Sequence, residues 1–416
     1  MTLSITPTCA TSKALIVGLL SGAALTVLLT GLFTKVSSKK HKDQEDQVNV
    51  EDQVNVEEHV ETEIVDGVAG LIGNTPLMKI KSLSEATGCL VLGKAEFLNP
   101  GGSSKDRVAL NMIQTAEEQG ILKPHTGSTV FEGTVGSTGI SIAMIARAKG
   151  YKAWIVMPDD QAVEKYQLLE KLGATVEKVR PVSIVDKKQF VNLARERASN
   201  FSHGEAIGYF ADQFENEANF QAHYTLTGPE VYRQTGGRID ALVLGAGTGG
   251  TLSGITCYLK ERVNNLKVFL ADPQGSGLFN KVKYNVMYSP TEQEGNRRRH
   301  QVDTVVEGIG INRLTQNFEK GRRYIDDAFR VTDEEAIKMS RYLVREDGLF
   351  VGSSSAVNCV AAYRTAKQLG PGHVIVTLLN DSGQRHLTKF WSDEYLKAQD
   401  IYFELKPEET VHDFVK

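Results

Sequence analysis

The sequence predicts an α/β protein with a mainly parallel β-sheet, preceded by one transmembrane helix. From residue 67 onward, short apolar runs alternate with amphipathic helical patterns, and several of these patterns end at a glycine. Near the amino terminus, one run of 21 residues carries no charge. With 416 residues, 41% of them hydrophobic, the chain can bury a large core, which excludes a wholly disordered protein.

The uncharged run, residues 14–34, follows a short tail of residues 1–13. At 1.5 Å per residue it forms a helix of about 32 Å, enough to cross a hydrocarbon layer of roughly 30 Å. The run exceeds the usual apolar length of a cleaved signal peptide, so we interpret it as an uncleaved anchor. Four lysines follow it within residues 35–42, and lysine bias predicts that the rest of the chain faces the cytosol.

Residues 35–65 are predicted to form a linker, first basic and then acidic. Residues 43–66 carry ten acidic side chains and contain the hexapeptide EDQVNV twice, a composition typical of a flexible spacer. The chain has a net charge of −4, with +5 in residues 1–42 and −10 in residues 43–66, which leaves +1 for residues 67–416. A nearly neutral body predicts no nucleic-acid partner, and we interpret the basic run 297–300 as a solvated loop.

The four cysteines lie far apart in the sequence. This spacing excludes a disulfide framework and a cysteine-rich zinc site, so no metal is predicted.

Apolar runs predict buried strands, and the patterns between them predict helices. The strands are expected at residues 90–97, 128–131, 153–157, 241–244, 268–271 and 374–379. The helices are expected at residues 107–119, 140–149, 163–171, 251–262 and 356–369. Because ligands bind at the carboxyl ends of parallel strands, the loops that follow strands are the places to look for chemistry.

The loop Gly245–Gly250 joins a predicted strand to a predicted helix. Its glycines allow several backbone N–H groups to converge at a helix amino terminus, and Thr248 and Thr251 add hydroxyl donors, which favours a phosphate ligand. The same glycines satisfy GxGxxG, and Asp272 ends the next strand 22 residues after Gly250, so a nicotinamide-dinucleotide site remains an alternative.

Two further loops follow predicted strands. Residues 99–107 place Lys105 at the start of a helix, where a lowered pKa would favour a Schiff base. Residues 132–139 precede a helix whose free N–H groups can bind a carboxylate. A phosphate, an imine and a carboxylate together describe an amino acid bound to pyridoxal phosphate.

The motifs resemble those of fold-type II pyridoxal-phosphate enzymes, above all cysteine synthases and the catalytic core of cystathionine β-synthase. The resemblance covers about residues 66–400 and rests on these motifs in order: IGNTPL from residue 72, PGGSSKDR from 100, GSTG from 136, GTGGT from 247, EGIG from 307 and DGLFVGSSS from 347. It implies a catalytic domain over residues 66–416, built as two α/β subdomains with mainly parallel sheets, the smaller inserted at roughly 107–215. A homodimer is implied as well. Together with the predicted anchor, the sequence is similar to fungal proteins of this family on the mitochondrial outer membrane.

The resemblance also implies roles for individual residues. Lys105 would bind pyridoxal 5'-phosphate covalently and act as the catalytic base. Noncovalent cofactor contacts would come from Ser137, Gly247, Thr248, Gly249, Gly250, Thr251 and Ser354. Substrate contacts would come from Thr134, Val135, Gly136, Thr138 and Gln213.

The implied reaction is β-replacement: O-acetylserine loses acetate, an aminoacrylate remains, and sulfide or another thiol attacks it. A serine or threonine dehydratase, and a cofactor-binding protein with little activity, remain alternatives. Relatives have a serine where this chain has Val135 and an asparagine where it has Ser137, so substrate choice or rate is expected to differ.

Overall fold

Two β-sheets and fifteen α-helices are found in the computed structural model, which describes residues 64–182, 184–287 and 304–416. The tail 1–13, the predicted span 14–34, most of the predicted linker and the basic run 297–300 lie outside these residues. The strands are β1 (Leu77–Lys79), β2 (Leu90–Ala95), β3 (Thr129–Gly133), β4 (Lys152–Pro158), β5 (Thr175–Val179), β6 (Ser202–His203), β7 (Ala206–Phe210), β8 (Ala241–Gly245), β9 (Lys267–Pro273), β10 (Asp327–Val331) and β11 (Val374–Leu379).

Most of the helices follow strands and cover the two sheets. They are α1 (Gly67–Gly70), α2 (Lys81–Thr87), α3 (Lys105–Glu118), α4 (Ser137–Ala148), α5 (Val163–Lys171), α6 (Phe190–Asn200), α7 (Glu217–Ala222), α8 (Gly228–Thr235), α9 (Gly250–Lys260), α10 (Leu278–Tyr284), α11 (Gln316–Arg322), α12 (Asp333–Asp347), α13 (Ser353–Leu369), α14 (Asp393–Ala398) and α15 (Val411–Phe414). A π-helical turn, His223–Thr227, joins α7 to α8.

The larger sheet has six strands in the order β1-β2-β11-β8-β9-β10. All neighbouring pairs are parallel except β1 with β2. Its central strands are apolar and buried on both faces, because helices cover both sides. The carboxyl ends of β2, β8 and β11 therefore lie along one edge of this sheet.

The smaller sheet has five strands in the order β5-β4-β3-β7-β6, and only β6 is antiparallel to its neighbour. All five strands lie within residues 107–215, for which the sequence predicts an inserted subdomain. Buried residues of α3, α4, β3 and β4, such as Met112, Ile142 and Ile155, form its core. The predicted mainly parallel α/β architecture is thus present in both sheets.

All six predicted strands and all five predicted helices are present, with ends that differ by up to three residues. The largest differences are at α4 and α13, which begin three residues early, at Ser137 and Ser353. Serine and threonine in a first helical turn look like loop residues in a sequence, since they do not follow the apolar periodicity. Strands β1, β5, β6, β7 and β10 were not predicted, because they are short or half-exposed and most of them carry polar residues.

The predicted fold class needs one correction, which concerns the membrane. Over the ranges that the structure describes, no helix combines the length and the apolar character needed to cross a bilayer. The prediction that a transmembrane helix is part of this fold is therefore wrong for the structure as described. The α/β part of the prediction fits.

Candidate active site

A single cavity of about 550 Å³ collects the loops that the sequence analysis identified. It is lined from the larger sheet by the loops after β2, β8 and β11 and by the start of α13, and from the smaller sheet by the loop after β3. Of the thirteen predicted site residues, eleven line this cavity: Lys105, Thr134, Val135, Ser137, Thr138, Gln213, Gly247, Thr248, Gly249, Thr251 and Ser354. Gly136 and Gly250 belong to the same loops without lining the cavity.

Lys105 is the first residue of α3 and is only half-buried, because its side chain lines the cavity. Removal from bulk water lowers the pKa of its amine, and the charges of Asp381 and Glu96 oppose this effect. A larger neutral fraction at Nζ makes the amine a better nucleophile and base. Lys105 therefore has the properties that a Schiff-base lysine needs.

The glycine-rich loop after β8 has a backbone that a side chain would block. Gly249 has φ +86°, and a Cβ there would lie 2.5 Å from Cα of Phe318. A Cβ on Gly250 would lie 2.1 Å from Oδ1 of Asn219. The first helical hydrogen bond of α9 runs from Ser253 N to the carbonyl of Gly249, so the N–H groups of residues 250–252 precede it and can bind an anion.

Side chains from other segments fix the two threonines of this loop. Asn219 Nδ2 donates to Thr248 Oγ1 at 2.8 Å. Thr251 Oγ1 lies 3.0 Å from His223 Nε2, and His223 Nδ1 lies 3.0 Å from Thr227 Oγ1. Burial, with the charges of Lys105 and Arg107, lowers the pKa of His223 well below its usual value, so its ring is neutral. His223 was not predicted as a site residue, since a lone histidine inside a helical pattern carries no motif.

The loop after β3 is tied to the segment that follows β7. Thr138 Oγ1 donates to Gln213 Oε1 at 2.6 Å, and Gln213 Nε2 donates to the carbonyl of Gly133 at 3.3 Å. The N–H of Gly136 donates to Thr134 Oγ1 at 3.2 Å, which leaves the threonine's own proton free to donate. A Cβ on Gly136, which has φ +140°, would lie 2.4 Å from Cδ of Lys165.

Ser354 lies in the first turn of α13, where it is buried. Asn380 Nδ2, just after β11, donates to Ser354 Oγ at 3.0 Å. Because Ser354 Oγ accepts this hydrogen bond, its own hydroxyl proton remains available to a ring nitrogen or another acceptor in the cavity. The structure therefore offers a neutral hydroxyl at this position.

A cluster of charged side chains that the sequence analysis did not predict lines the same cavity. It comprises Lys165 of α5, Glu307, Asp381, His386 and Lys389. Glu307 pairs with Lys165 and Lys389, and His386 lies between Glu307 and Asp381. Glu307 opens the motif EGIG, but the sequence does not indicate that it pairs with the others, because the members come from three distant segments.

A family model described as "Pyridoxal-phosphate dependent enzyme" matches residues 68–381. The chain is 63% identical over 342 residues to "Cysteine synthase 2" of Emericella nidulans, covering 79% of this chain and 80% of the relative. It is 55% identical over 350 residues to "Putative mitochondrial cysteine synthase" of Saccharomyces cerevisiae, covering 83% and 88%. The crystal structure of an O-acetylserine dependent cystathionine beta-synthase from Helicobacter pylori is similar with TM-score 0.67 and 30% identity, covering 78% of this chain and 98% of that one.

Proposed function

Because the chain belongs to the family of pyridoxal-phosphate dependent enzymes, we propose that it is a cysteine synthase. The reaction replaces the acetate of O-acetylserine with sulfide: the Cβ–O bond breaks, a Cβ–S bond forms, and cysteine and acetate leave. The observation that carries the proposal is the meeting of Lys105, the glycine-rich loop after β8, the loop after β3 and Ser354 around one cavity.

The residues present fit pyridoxal phosphate. Lys105 Nζ would bind it covalently, and the N–H groups and threonine hydroxyls of Gly247, Thr248, Gly249, Gly250 and Thr251 would hold its phosphate. Ser137 would face the phenolic oxygen, and Ser354 would face the ring nitrogen. When bound, the cofactor withdraws electrons from the substrate's Cα, which acidifies the proton there.

Lys105 would also serve as the base. Its amine has a lowered pKa, so once the substrate has displaced it, Nζ can take the proton from Cα and later return it. The helix start around Lys105 holds the amine within the cavity, because the N–H of Ser104 donates to the carbonyl of Asn380 at 3.2 Å.

The substrate's carboxylate would bind at the amino terminus of α4. The first helical bond there runs from Ile140 N to the carbonyl of Gly136, so the N–H groups of residues 137–139 precede it. The hydroxyl of Thr134 and the amide of Gln213 lie beside them, with Val135, Gly136 and Thr138 completing the loop. Together they orient Cα toward Lys105.

Ser354 bears on reaction type. A hydroxyl does not keep the cofactor's ring nitrogen protonated as a carboxylate would. The ring would then stabilise the negative charge that develops at Cα less strongly, and loss of the β-substituent would relieve that charge. This favours elimination and replacement at Cβ over reactions that need a long-lived carbanion.

The test uses the purified full chain with pyridoxal phosphate, O-acetylserine and sulfide. We expect cysteine and acetate in equal amounts, and little keto acid when sulfide is omitted. Rapid keto-acid formation from serine or threonine without sulfide would instead favour a dehydratase. Cofactor binding without turnover of any β-substituted alanine would favour a cofactor-binding protein of little activity.

Cell location and assembly extend the proposal. The name of the yeast relative supports a mitochondrial location for this chain, which subcellular fractionation of a tagged full-length protein would test. A homodimer, expected from the resemblance, would be tested by light scattering after size-exclusion chromatography. A monomeric mass for the active protein would exclude the dimer.

A further inference from the structure

His386 is held between two carboxylates at the wall of the cavity. Its Nε2 lies 2.9 Å from Oδ2 of Asp381, and its Nδ1 lies 3.1 Å from Oε2 of Glu307. The ring is 3% exposed, so water cannot substitute for either partner. A neutral imidazole has one N–H and can donate only one of these bonds, whereas an imidazolium donates both.

The charges around His386 favour the imidazolium. Burial alone would lower the pKa of His386, but the charge and hydrogen bond of Asp381 and the hydrogen bond to Glu307 outweigh it and raise that pKa, with Lys165 acting against them. Arg385, its neighbour in sequence, and Lys389 are the other cations close to this cluster.

The two carboxylates differ in how their charge is balanced. Glu307 forms ion pairs with Lys165 and, at 3.4 Å, with Lys389, in addition to its bond with His386. Among the described residues, Asp381 forms an ion pair with His386 only, and its Oδ1 is buried without a hydrogen-bond partner. His386 is therefore the main direct counter-charge of Asp381.

Asp381 lies next to the segment that carries Lys105. Ser103 forms an antiparallel bridge with Asp381, and the neighbouring N–H of Ser104 donates to the carbonyl of Asn380. Both Asp381 and Lys105 line the cavity. Of the charges that act on the amine of Lys105, Asp381 is the strongest, and it favours the protonated form.

We propose that His386 is a positioning residue of the reaction: its imidazolium holds the Asp381 carboxylate and offsets its charge, so that Lys105 stays a neutral amine at working pH. This inference rests on the proposed function, because it assigns His386 an effect on the lysine that is proposed as the base. His386 acts through Asp381.

The proposal predicts how activity depends on pH. Removing the imidazolium leaves Asp381 without its main direct counter-charge, which stabilises protonated Lys105. The acid limb of kcat should then move to higher pH, because kcat reports the substrate-bound enzyme, in which Lys105 is a free amine. A nearby charge moves a pKa by about one unit or more, so activity should fall roughly tenfold at pH 6 and less than about twofold at pH 9.

The variant His386→Gln keeps hydrogen-bonding capacity and removes the charge. We expect its acid limb to shift upward by about one pH unit for O-acetylserine. In the double variant His386→Gln/Asp381→Asn both charges are gone, and the limb should return to within about 0.3 units of wild type. The matched control His373→Gln alters a half-buried histidine outside the cavity, whose Nδ1 lies 2.9 Å from the carbonyl of Gly370, and should leave the profile unchanged.

A second readout does not depend on activity. In the ¹⁵N-histidine spectrum of the cofactor-loaded full chain at pH 7, the signal that His386→Gln removes should have both ring nitrogens protonated. A neutral ring, or an unmoved acid limb in a His386→Gln protein that still makes cysteine, would overturn the inference. Failure of wild type to make cysteine would overturn the proposed function instead. If His386→Gln does not fold, the protonation state of His386 in the wild-type spectrum decides. The His386 signal is then identified by its loss in the spectrum of His386→Lys.

Discussion

Thr138 donates a 2.6 Å hydrogen bond to Gln213, although the two residues lie 75 positions apart. The bond connects the loop after β3 to the segment after β7, at the place where the sequence predicts a bound carboxylate. Both side chains are buried, so their orientation is fixed before a substrate arrives. A preformed loop of this kind lowers the entropic cost of orienting the substrate.

Lys105→Ala should abolish cysteine formation and leave a folded protein that binds the cofactor noncovalently. The loop after β8 and Ser354 make contacts that do not depend on Nζ, and a lysine that lines a cavity adds little to a core. Steady-state assays, circular dichroism and cofactor content measure the three outcomes. Lys152→Ala, at the exposed start of β4, is the control and should retain full activity. Activity above a few percent in Lys105→Ala without added amines would exclude Lys105 as the base.

Ser137→Asn, combined with Val135→Ser if the loop requires both, should raise turnover of O-acetylserine. Ser137 lines the cavity, and Nη1 of Arg385 donates to its Oγ at 3.4 Å, so the serine has one hydroxyl proton left to donate at this position. An asparagine amide reaches further and has two donors. A stronger bond to a charged oxygen changes a barrier by about 1.5 to 3 kcal/mol, or about ten to a hundredfold in rate.

The control for this change is Ser199→Asn on the exposed face of α6. Slower turnover of O-acetylserine in the Ser137→Asn protein, together with fast wild-type turnover of another β-substituted alanine, would mean that Ser137 suits that other substrate.

Gly249→Ala should lower cofactor affinity by more than about tenfold. Its Cβ would collide with the backbone of Phe318, so the loop must move. Gly173→Ala is the matched control: its φ of +80° brings the same backbone strain of about 1–2 kcal/mol, but the space around its Cβ is open. Equilibrium titration with pyridoxal phosphate measures the cofactor affinity of each variant. Equal affinities of Gly249→Ala and Gly173→Ala would refute the role proposed for this loop.

Glu230→Gln should destabilise the protein by about 3–5 kcal/mol, because it removes the charge of a carboxylate that two buried cations share. Glu230 accepts hydrogen bonds from Lys94 and Arg107, which are fully buried. Urea unfolding of the variant measures the loss. Glu319→Gln, which breaks an exposed pair with Arg322, should cost no more than about 1 kcal/mol.

The same carboxylate predicts a pH dependence of stability. Burial alone would raise the pKa of Glu230, but the hydrogen bonds and charges of Arg107 and Lys94 lower it from 4.5 to about 2. Its contribution is therefore present above about pH 4.5 and is lost as the pH falls toward 2. Wild type should lose more stability over this interval than Glu230→Gln does, and parallel curves would contradict the assignment.

The parts of the site that follow one strand were predictable from the sequence. A strand, a glycine-rich loop and a helix are adjacent in the chain, so the local pattern at Gly247–Thr251 predicts both the structure and an anion ligand. The contacts of the charged cluster were not predictable. Glu307 lies in the motif EGIG, but Lys165 and His386 are ordinary in their own segments, and only the packing of the fold brings them to Glu307. The exact starts of α4 and α13 were missed because their first turns consist mainly of serine, threonine and glycine, which do not follow the apolar periodicity.

The membrane prediction rested on length and hydropathy alone. It concerns residues 14–34, and among the helices that the structure describes none is long and apolar enough to cross a membrane. Local apolar content does not define the α/β fold, which depends on the alternation of strands and helices.

The visible absorption spectrum of the purified full chain, recorded during addition of O-acetylserine and then sulfide, shows whether this protein is a cysteine synthase that uses Lys105 and pyridoxal phosphate. We expect a visible band from cofactor bound to Lys105, a shift of that band when O-acetylserine is added, and its return as sulfide is consumed and cysteine appears. A protein loaded with cofactor whose band does not change with O-acetylserine, and which forms no cysteine with sulfide, would contradict the account.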